Sequence, residues 1–384
     1  VRDGLAGSSG TATSSLNKNV SGVDAPSALT VITEAMGGDG ERRDSNDVIG
    51  TAANGGDGVA STLANNADGM VQSQARAVGG DGGAGGFAAS GGNGGSAEAS
   101  ATATTGGDGN PVEAFGNAQG GAGGTIYGST VVNMAGDGGD ATSYSEGSAL
   151  GNSAVTVDDF AQGGHGGEMN GGTGMGGSGG AASSTAVGSN AGTELVRVTA
   201  NARGGMGGQG GGIGQSAGAG GTAMANATGT STGGAQVEVS TSILGGRGGD
   251  GATPGAGGAS VLIDSVSGST AGHLLLSQEA IGGSGGRSTV GAAGGVASSE
   301  LTTGNLLGGQ LTGTATAIGG IGGGGTKNGG TGGSANASID LTGAGKVDVT
   351  ANATGGEGGI SDEVGGDGGV ATVGTVKGLS LIHI

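Results

Sequence analysis

The sequence predicts an all-β protein: a flattened parallel β-solenoid of two layers, with glycine-rich extended arms resembling polyglycine II and no helices of note. Three observations carry this expectation. Glycine supplies 106 of the 384 residues, against about 7% in ordinary chains. Runs of Val, Ala, Leu and Ile alternate with polar residues, the period of a half-buried strand. These runs are punctuated by GGxGG blocks along the whole chain, at spacings within the range of repeat architectures.

Composition removes most other classes. Three prolines and no strict third-position glycine exclude collagen, and phased apolar runs argue against disorder. There is no cysteine, so disulfides, thiolate zinc sites and cysteine nucleophiles are absent. Only five aromatic residues occur (Phe87, Phe115, Tyr127, Tyr144, Phe160) and no Trp, so the core must be built from small side chains. A net charge of -19 repels nucleic acid. No apolar run reaches the ~18 residues of a spanning helix, so no membrane-spanning segment is expected.

The repeating unit is an alternating segment that runs into a glycine block, as in Val347 to Thr354 followed by Gly355 to Gly359. Ten such blocks can be marked, beginning at Gly37, Gly79, Gly106, Ala135, Gly163, Gly204, Gly245, Gly282, Gly319 and Gly355. Counting back two, four, six and eight residues from a block selects one strand face. This gives Leu29, Val31, Thr33 and Ala35; Val196, Val198, Ala200 and Ala202; Val237, Val239, Thr241 and Ile243; and Val347, Val349, Ala351 and Ala353. Intervening positions such as Arg197, Asn201, Asp348 and Asn352 are polar, as a sheet with one dry and one wet face requires. Asp159 and Gln278 fall on the dry face and break the rule.

A second glycine block follows most first ones, and another alternating run such as Ala335 to Leu341 follows that. Each long repeat therefore reads as strand, turn, strand, glycine arm, loop, glycine arm. The shorter repeats between Gly79 and Gly163 read as units that lost the turn and one strand. Segments of GGxGG leave backbone groups that must bond to neighbours, and coils stacked at about 4.8 Å supply them. The expected division is a partial first repeat over 1–36, about ten repeats of 27–42 residues over 37–378, and a six-residue tail, 379–384. That tail, Leu379 to Ile384, breaks the repeat and reads as the translation of a sequencing adapter. The start at Val1 reads as the later part of a repeat, with the beginning lying upstream.

With its GGxGG arms and Ala/Val/Thr strands, the chain resembles the glycine-rich β-solenoid segments of bacterial surface proteins, the haemagglutinin-like and autotransporter adhesins. Its arms also resemble those of polyglycine-helix bundle proteins, among them some antifreeze proteins and phage tail-tip adhesins. The resemblance implies a stalk, adhesin or matrix segment of a longer secreted or cell-surface bacterial protein. Its partners would be flanking domains and a surface or matrix ligand that the resemblance does not name. It supplies no functional residue.

Chemistry is sparse. Gly205 to Gly210 matches GxGxxG, but at this glycine content such matches arise by chance and no helix follows. His165 and His273, the histidines outside the tail, lie about three repeats apart, and acids and bases do not converge, so no enzyme is expected. Acidic residues occupy the variable position of GGxG at Asp39, Asp57, Asp81, Asp108, Asp137, Glu357 and Asp367. Asp39, Asp81, Asp108 and Asp137 are expected to stack in one column, where neighbouring charges at about 4.8 Å repel by roughly 1 kcal/mol even at the dielectric of water. Calcium would relieve that repulsion. Near matches to GGxGxDxUx add Asp140 and Asp250 as candidate ligands. The competing reading is solvated turn aspartates and no cofactor. An ice-binding face is a further alternative, suggested by Thr312, Thr314 and Thr316 but interrupted by Arg197, Glu238, Glu279 and Asp348 in neighbouring repeats.

Overall fold

A computed structural model describes residues 9–21, 25–128, 132–212 and 214–383, apart from the side chains of 44–49 and 383. It is all-β and built from parallel strands in stacked sheets, a parallel β-solenoid. One coil shows the plan. The strand Ala141–Ala149 turns into Val155–Gln162, an extended arm follows from Gly163 to Gly167, and a short tip leads to the return arm, Gly176 to Gly180. The next strand, Ala182–Asn190, then pairs with Ala141–Ala149 in parallel, residue for residue.

Repetition of this plan builds two large sheets. The first holds the strands that follow the return arms, from Ala12–Val20 to Ala371–Ser380. The second holds those that precede the outgoing arms, from Ala28–Met36 to Val347–Thr354. Strict alternation sends every second side chain between the sheets, where the core lies. Val196, Val198, Ala200 and Ala202 are buried, as are Val237, Val239, Thr241 and Ile243. Val347, Val349, Ala351 and Ala353, in the last coil, are partly buried against the same core.

The core is thin, so its two walls interlock by size. Gly147, Gly188 and Gly229 form a column in the first sheet, facing the Val pairs of the second. A Cβ at Gly188 would lie 2.5 Å from Val198 Cγ2, and one at Gly229 would lie 2.7 Å from both Val237 and Val239. At one coil the arrangement inverts: Gly313 of the second sheet faces Ile339 and Leu341 of the first, while one coil further on Gly378 of the first sheet again faces Val347 and Val349. The larger side chain can stand on either wall, provided that a glycine faces it.

The two breaks in the pattern, Asp159 and Gln278, keep the register and point inward. Ser143 and Ser145 donate to Asp159 Oδ1 at 2.7 Å, and Ser184 donates to Oδ2 at 2.6 Å. Gln278 donates to Ser299 Oγ at 3.1 Å and accepts from the backbone N–H of Ser265 at 3.3 Å. Ser265 sits where the first-sheet strand is split into Ser260–Ile263 and Val266–Ser269, beside the left-handed Asp264 (φ 49°). Serines on the facing sheet thus answer these two buried polar side chains, as buried polar groups require.

Two of the marked blocks change place. Gly106 to Gly109 is the turn between Ala97–Thr105 and Val112–Gln119, and the block at Ala135 is a return arm. The outgoing arms begin at Gly37, Gly79, Gly120, Gly163, Gly204, Gly245, Gly282, Gly319 and Gly355, spaced 36 to 43 residues apart. Among the described residues between Gly79 and Gly163, each coil keeps a strand in both large sheets, so the expected loss of a turn and one strand is not seen. The turn at Gly106 mimics an arm because GGxG suits both jobs; within it Gly109 takes φ +69°, a left-handed angle open to glycine. The tail is partly strand, with Leu379 and Ser380 pairing with Thr342 and Gly343 before a short 3-10 turn, Leu381–His383.

Candidate functional site

The arms form a separate hydrogen-bonded zone. Gly369 donates its backbone N–H to Gly356, Gly356 to Gly333 and Gly333 to Gly320, and the series zigzags between return and outgoing arms down to Gly10, with every bond between 2.7 and 3.0 Å. A second series runs beside it from Gly366 to Ala53, over the same range of distances. Each donor addresses an acceptor nearer the N-terminus, so the bonds are head to tail and polarise one another. The first glycine of each outgoing arm from Gly37 to Gly319 instead bonds to the next coil, as Gly79 does to Gln119 at 2.9 Å. A Cβ at Gly164, Gly205 or Gly246 would stand 1.8–1.9 Å from a carbonyl oxygen, so side chains are barred from these positions.

Every third residue of an arm faces outward, and its N–H has no partner within the glycine network. This is where the acidic residues sit. Asp39 Oδ1 accepts the N–H of Asp81 at 2.9 Å, and Asp81 Oδ1 accepts that of Ala122 at 2.7 Å. On the return arms Asn54 serves Asn93, Asn93 serves Asp137, and Asp137 serves Ser178. Asp57 serves Ser96 and Asp140 serves Ala181, each at the end of a return arm. Asp108, in the turn, serves Asn152, while Asp250, at a tip, serves Arg287 and pairs with Arg247. Even His165 joins the scheme, its Nδ1 accepting from Met206 at 3.0 Å.

One physical job explains the acids: a side-chain oxygen in one coil satisfies the outward N–H at the same position in the next. The expected column of four does not form. Asp39 and Asp81 share the outgoing-arm column, which continues as Ala122, His165 and Met206. Asp137 belongs to the return-arm column and Asp108 to the inter-sheet turn. Among the described residues no group of three or more His, Cys, Asp or Glu is gathered in one place. The sequence signal for this role was the mixture of Asp with Asn at one position, since both offer an oxygen acceptor and only one carries charge.

Among the described residues, Asp159 is the buried carboxylate. It is 1% exposed, and burial raises its pKa to about 6 against the opposing pull of Ser145, Ser184, Ser143 and the Thr185 N–H. On the outer face of the first sheet, burial and the bond donated to Glu146 push the Tyr144 hydroxyl up to about 12. Asp348 is held low by Lys346 beside it.

The outer faces differ along the stack. Thr312, Thr314 and Thr316 do share the wet face of the second sheet, but their register neighbours include Glu279 and Asp348. Nearer the N-terminus the same face carries Phe115 and Phe160 among Asn, Gln and Arg side chains. His273 Nε2 lies 3.0 Å from Thr312 Oγ1, several coils from His165.

No protein-family model matches the sequence, and no curated protein matches it. Among solved structures, the chain is similar to a springtail antifreeze protein from Granisotoma rainieri, a nine-membered polyproline type II helical bundle whose crystal waters match the ice lattice. Identity is 25% over 47% of this chain and 89% of that one, with a TM-score of 0.16. At that score the similarity carries no argument about function.

Proposed function

We propose that the chain is a structural and adhesive repeat segment of a larger secreted or cell-surface bacterial protein, a stiff spacer without catalytic activity whose outer faces make the contacts. The observation that supports this best is the unbroken bonding of coil to coil. Both sheets and both glycine series continue through the stack, so neighbouring coils are joined in four places. Nine steps between the first-sheet strands, at about 4.8 Å each, make a rod of about 43 Å. Such a body has nearest-neighbour energetics, and its length is set by coil number.

The test is excision of one complete coil. Removing Ala182 through Thr222 joins Ala181 to Ala223, which occupies the register position of Ala182. The shortened chain should fold, melt cooperatively and lose about 4.8 Å of length in small-angle scattering. Removing Ala182 through Arg203 takes out two strands but leaves their arms, and should abolish the fold. Failure of the whole-coil deletion, or equal tolerance of both, would refute the spacer. In cells that express the complete protein, surface proteolysis should release peptides of this segment; their retention inside would refute the location.

A further inference from the structure

We infer that the outer face of the second sheet, around Phe115 and Phe160, is a binding surface for a neutral polysaccharide. The inference deepens the adhesive reading above and rests on it. Two of the chain's three phenylalanines meet on this face, in strands paired at Asp158↔Phe115 and Phe160↔Asn117. That register sets them diagonally on adjacent coils, about 7–8 Å apart. Both rings are partly exposed, on a surface that elsewhere carries Ser, Thr, acid and aliphatic side chains and no other aromatic ring among the described residues.

The surroundings decide the chemistry. Gln74, Asn117, Gln119, Asp158, Gln162 and Asn201 ring the two phenylalanines, and none has a side-chain hydrogen bond among the described residues. Amides present donor and acceptor side by side, the complement of sugar hydroxyls. Phenyl rings offer an apolar face to the C–H side of a sugar ring. Further along the same sheet, in the strands from Glu238 to Thr354, the outward residues are Ser, Thr, Leu, Ile and acid with Asn352 as their one amide, so the amide cluster is local.

Charge selects among hydroxyl-rich partners. Arg76 is paired with Glu34 and Arg197 with Glu238, while Arg203 lies over the Phe160 ring at 5.8 Å. Asp158 and Glu113 stand on the same face against Arg203, which leaves the patch about one negative charge from balance within a chain of net charge -19. An acidic polymer would be repelled by the rest of the molecule; a neutral one would not. An apolar protein partner would call for a continuous apolar surface in place of free amides.

The experiment is retention of the purified chain on immobilised neutral polysaccharides (β-glucan, mannan, galactan) and acidic ones (alginate, polygalacturonate), at low and high salt. We expect retention on at least one neutral polymer, insensitive to salt. Replacing both rings, Phe115→Ser with Phe160→Ser, should weaken it by at least about tenfold, as loss of aromatic anchors does. The paired control, Gln119→Ala with Asn201→Ala, removes amides without touching an aromatic ring and should weaken retention too; thermal melts of both variants should match the parent, since all four side chains lie on the wet face. Absence of retention on every neutral polymer, retention confined to acidic polymers at low salt, or unchanged retention by the double phenylalanine variant would each overturn the inference. Whole-coil excision reads the spacer independently, so failure of the patch leaves that result standing.

Discussion

Asp159 should make this protein respond to acid in the opposite sense to most carboxylates. It lies between the two sheets, 1% exposed, its two oxygens shared among three serines and one backbone N–H. Burial raises its pKa from 3.8 to about 6. A folded pKa above the unfolded one means that the folded state holds the proton more tightly. The stabilising contribution is fully present below about pH 4, is lost as pH rises through about 6, and is absent above. Two units correspond to about 3 kcal/mol.

Asp159→Asn isolates this effect, because it supplies the neutral form at every pH. Its Nδ2 can donate to Ser143 and Ser145, whose hydroxyls turn to accept, while its Oδ1 takes over the bonds from Ser184 and the Thr185 N–H. The assay is urea unfolding followed by circular dichroism, for parent and variant, in steps from pH 3.5 to 7.5. The variant should be more stable than the parent at pH 7.5, by up to about 3 kcal/mol, and the gap should close near pH 4. Other carboxylates titrate in both proteins and cancel in the difference. Parallel curves across the range, or a variant much less stable at neutral pH, would refute the reasoning.

Further expectations concern the arms and tips. Gly205→Ala places a Cβ 1.8 Å from the Gly164 carbonyl oxygen and should melt several coils, whereas Met206→Ala, one residue on and outward-facing, should change stability by less than about 0.5 kcal/mol in chemical denaturation. If Asp81 serves as an acceptor for the Ala122 N–H, Asp81→Asn should be nearly neutral and Asp81→Ala should lose about 1 kcal/mol. Millimolar calcium should leave the melting temperature of the parent unchanged; a rise that Asp81→Asn abolishes would restore the cation reading. Asn170–Gly171, in a tip where Gly171 has φ +103°, should deamidate on storage well before Asn93–Gly94, where Asn93 Oδ1 is held by the Asp137 N–H and Gly94 N–H by the Asp137 carbonyl. Peptide mass spectrometry would show equal rates if the arms gave no protection.

Strand faces were legible because alternation needs only neighbouring residues. Val196, Val198, Val237 and Val239 point where their spacing from the glycine blocks places them, and even Asp159 and Gln278 hold their register. What misled was glycine itself. GGxG builds an outgoing arm at Gly79, a return arm at Ala135 and a turn at Gly106, and the difference lies in backbone angles, which glycine does not advertise. The fit of Gly188 against Val198 was equally hidden, because it joins opposite sheets. The aspartates misled for a related reason: one-letter similarity put Asp108 beside Asp81, and the fold puts it at the far end of the sheets.

The two halves of each coil need one another. Fixing the backbone of an arm glycine costs about 1–2 kcal/mol, and its hydrogen bond returns only about 1 kcal/mol net. With little side-chain burial to add, isolated arms would not order, however complete their bonding from Gly10 to Gly369. The sheets supply the missing term by burying Val, Ile, Leu and Ala in one continuous core. They also hold the arms at the sheet spacing and so reduce the entropy left to lose. The arms in turn close the sheets at one edge and fix the register between coils. Cutting the core should therefore loosen the arms beside it: Val198→Asp, which buries a charge between the sheets, should raise amide exchange at Gly205 and Gly221 as well as in its own strand. Exchange that rises in the strand alone, with those glycines still protected, would show that the arms hold by themselves.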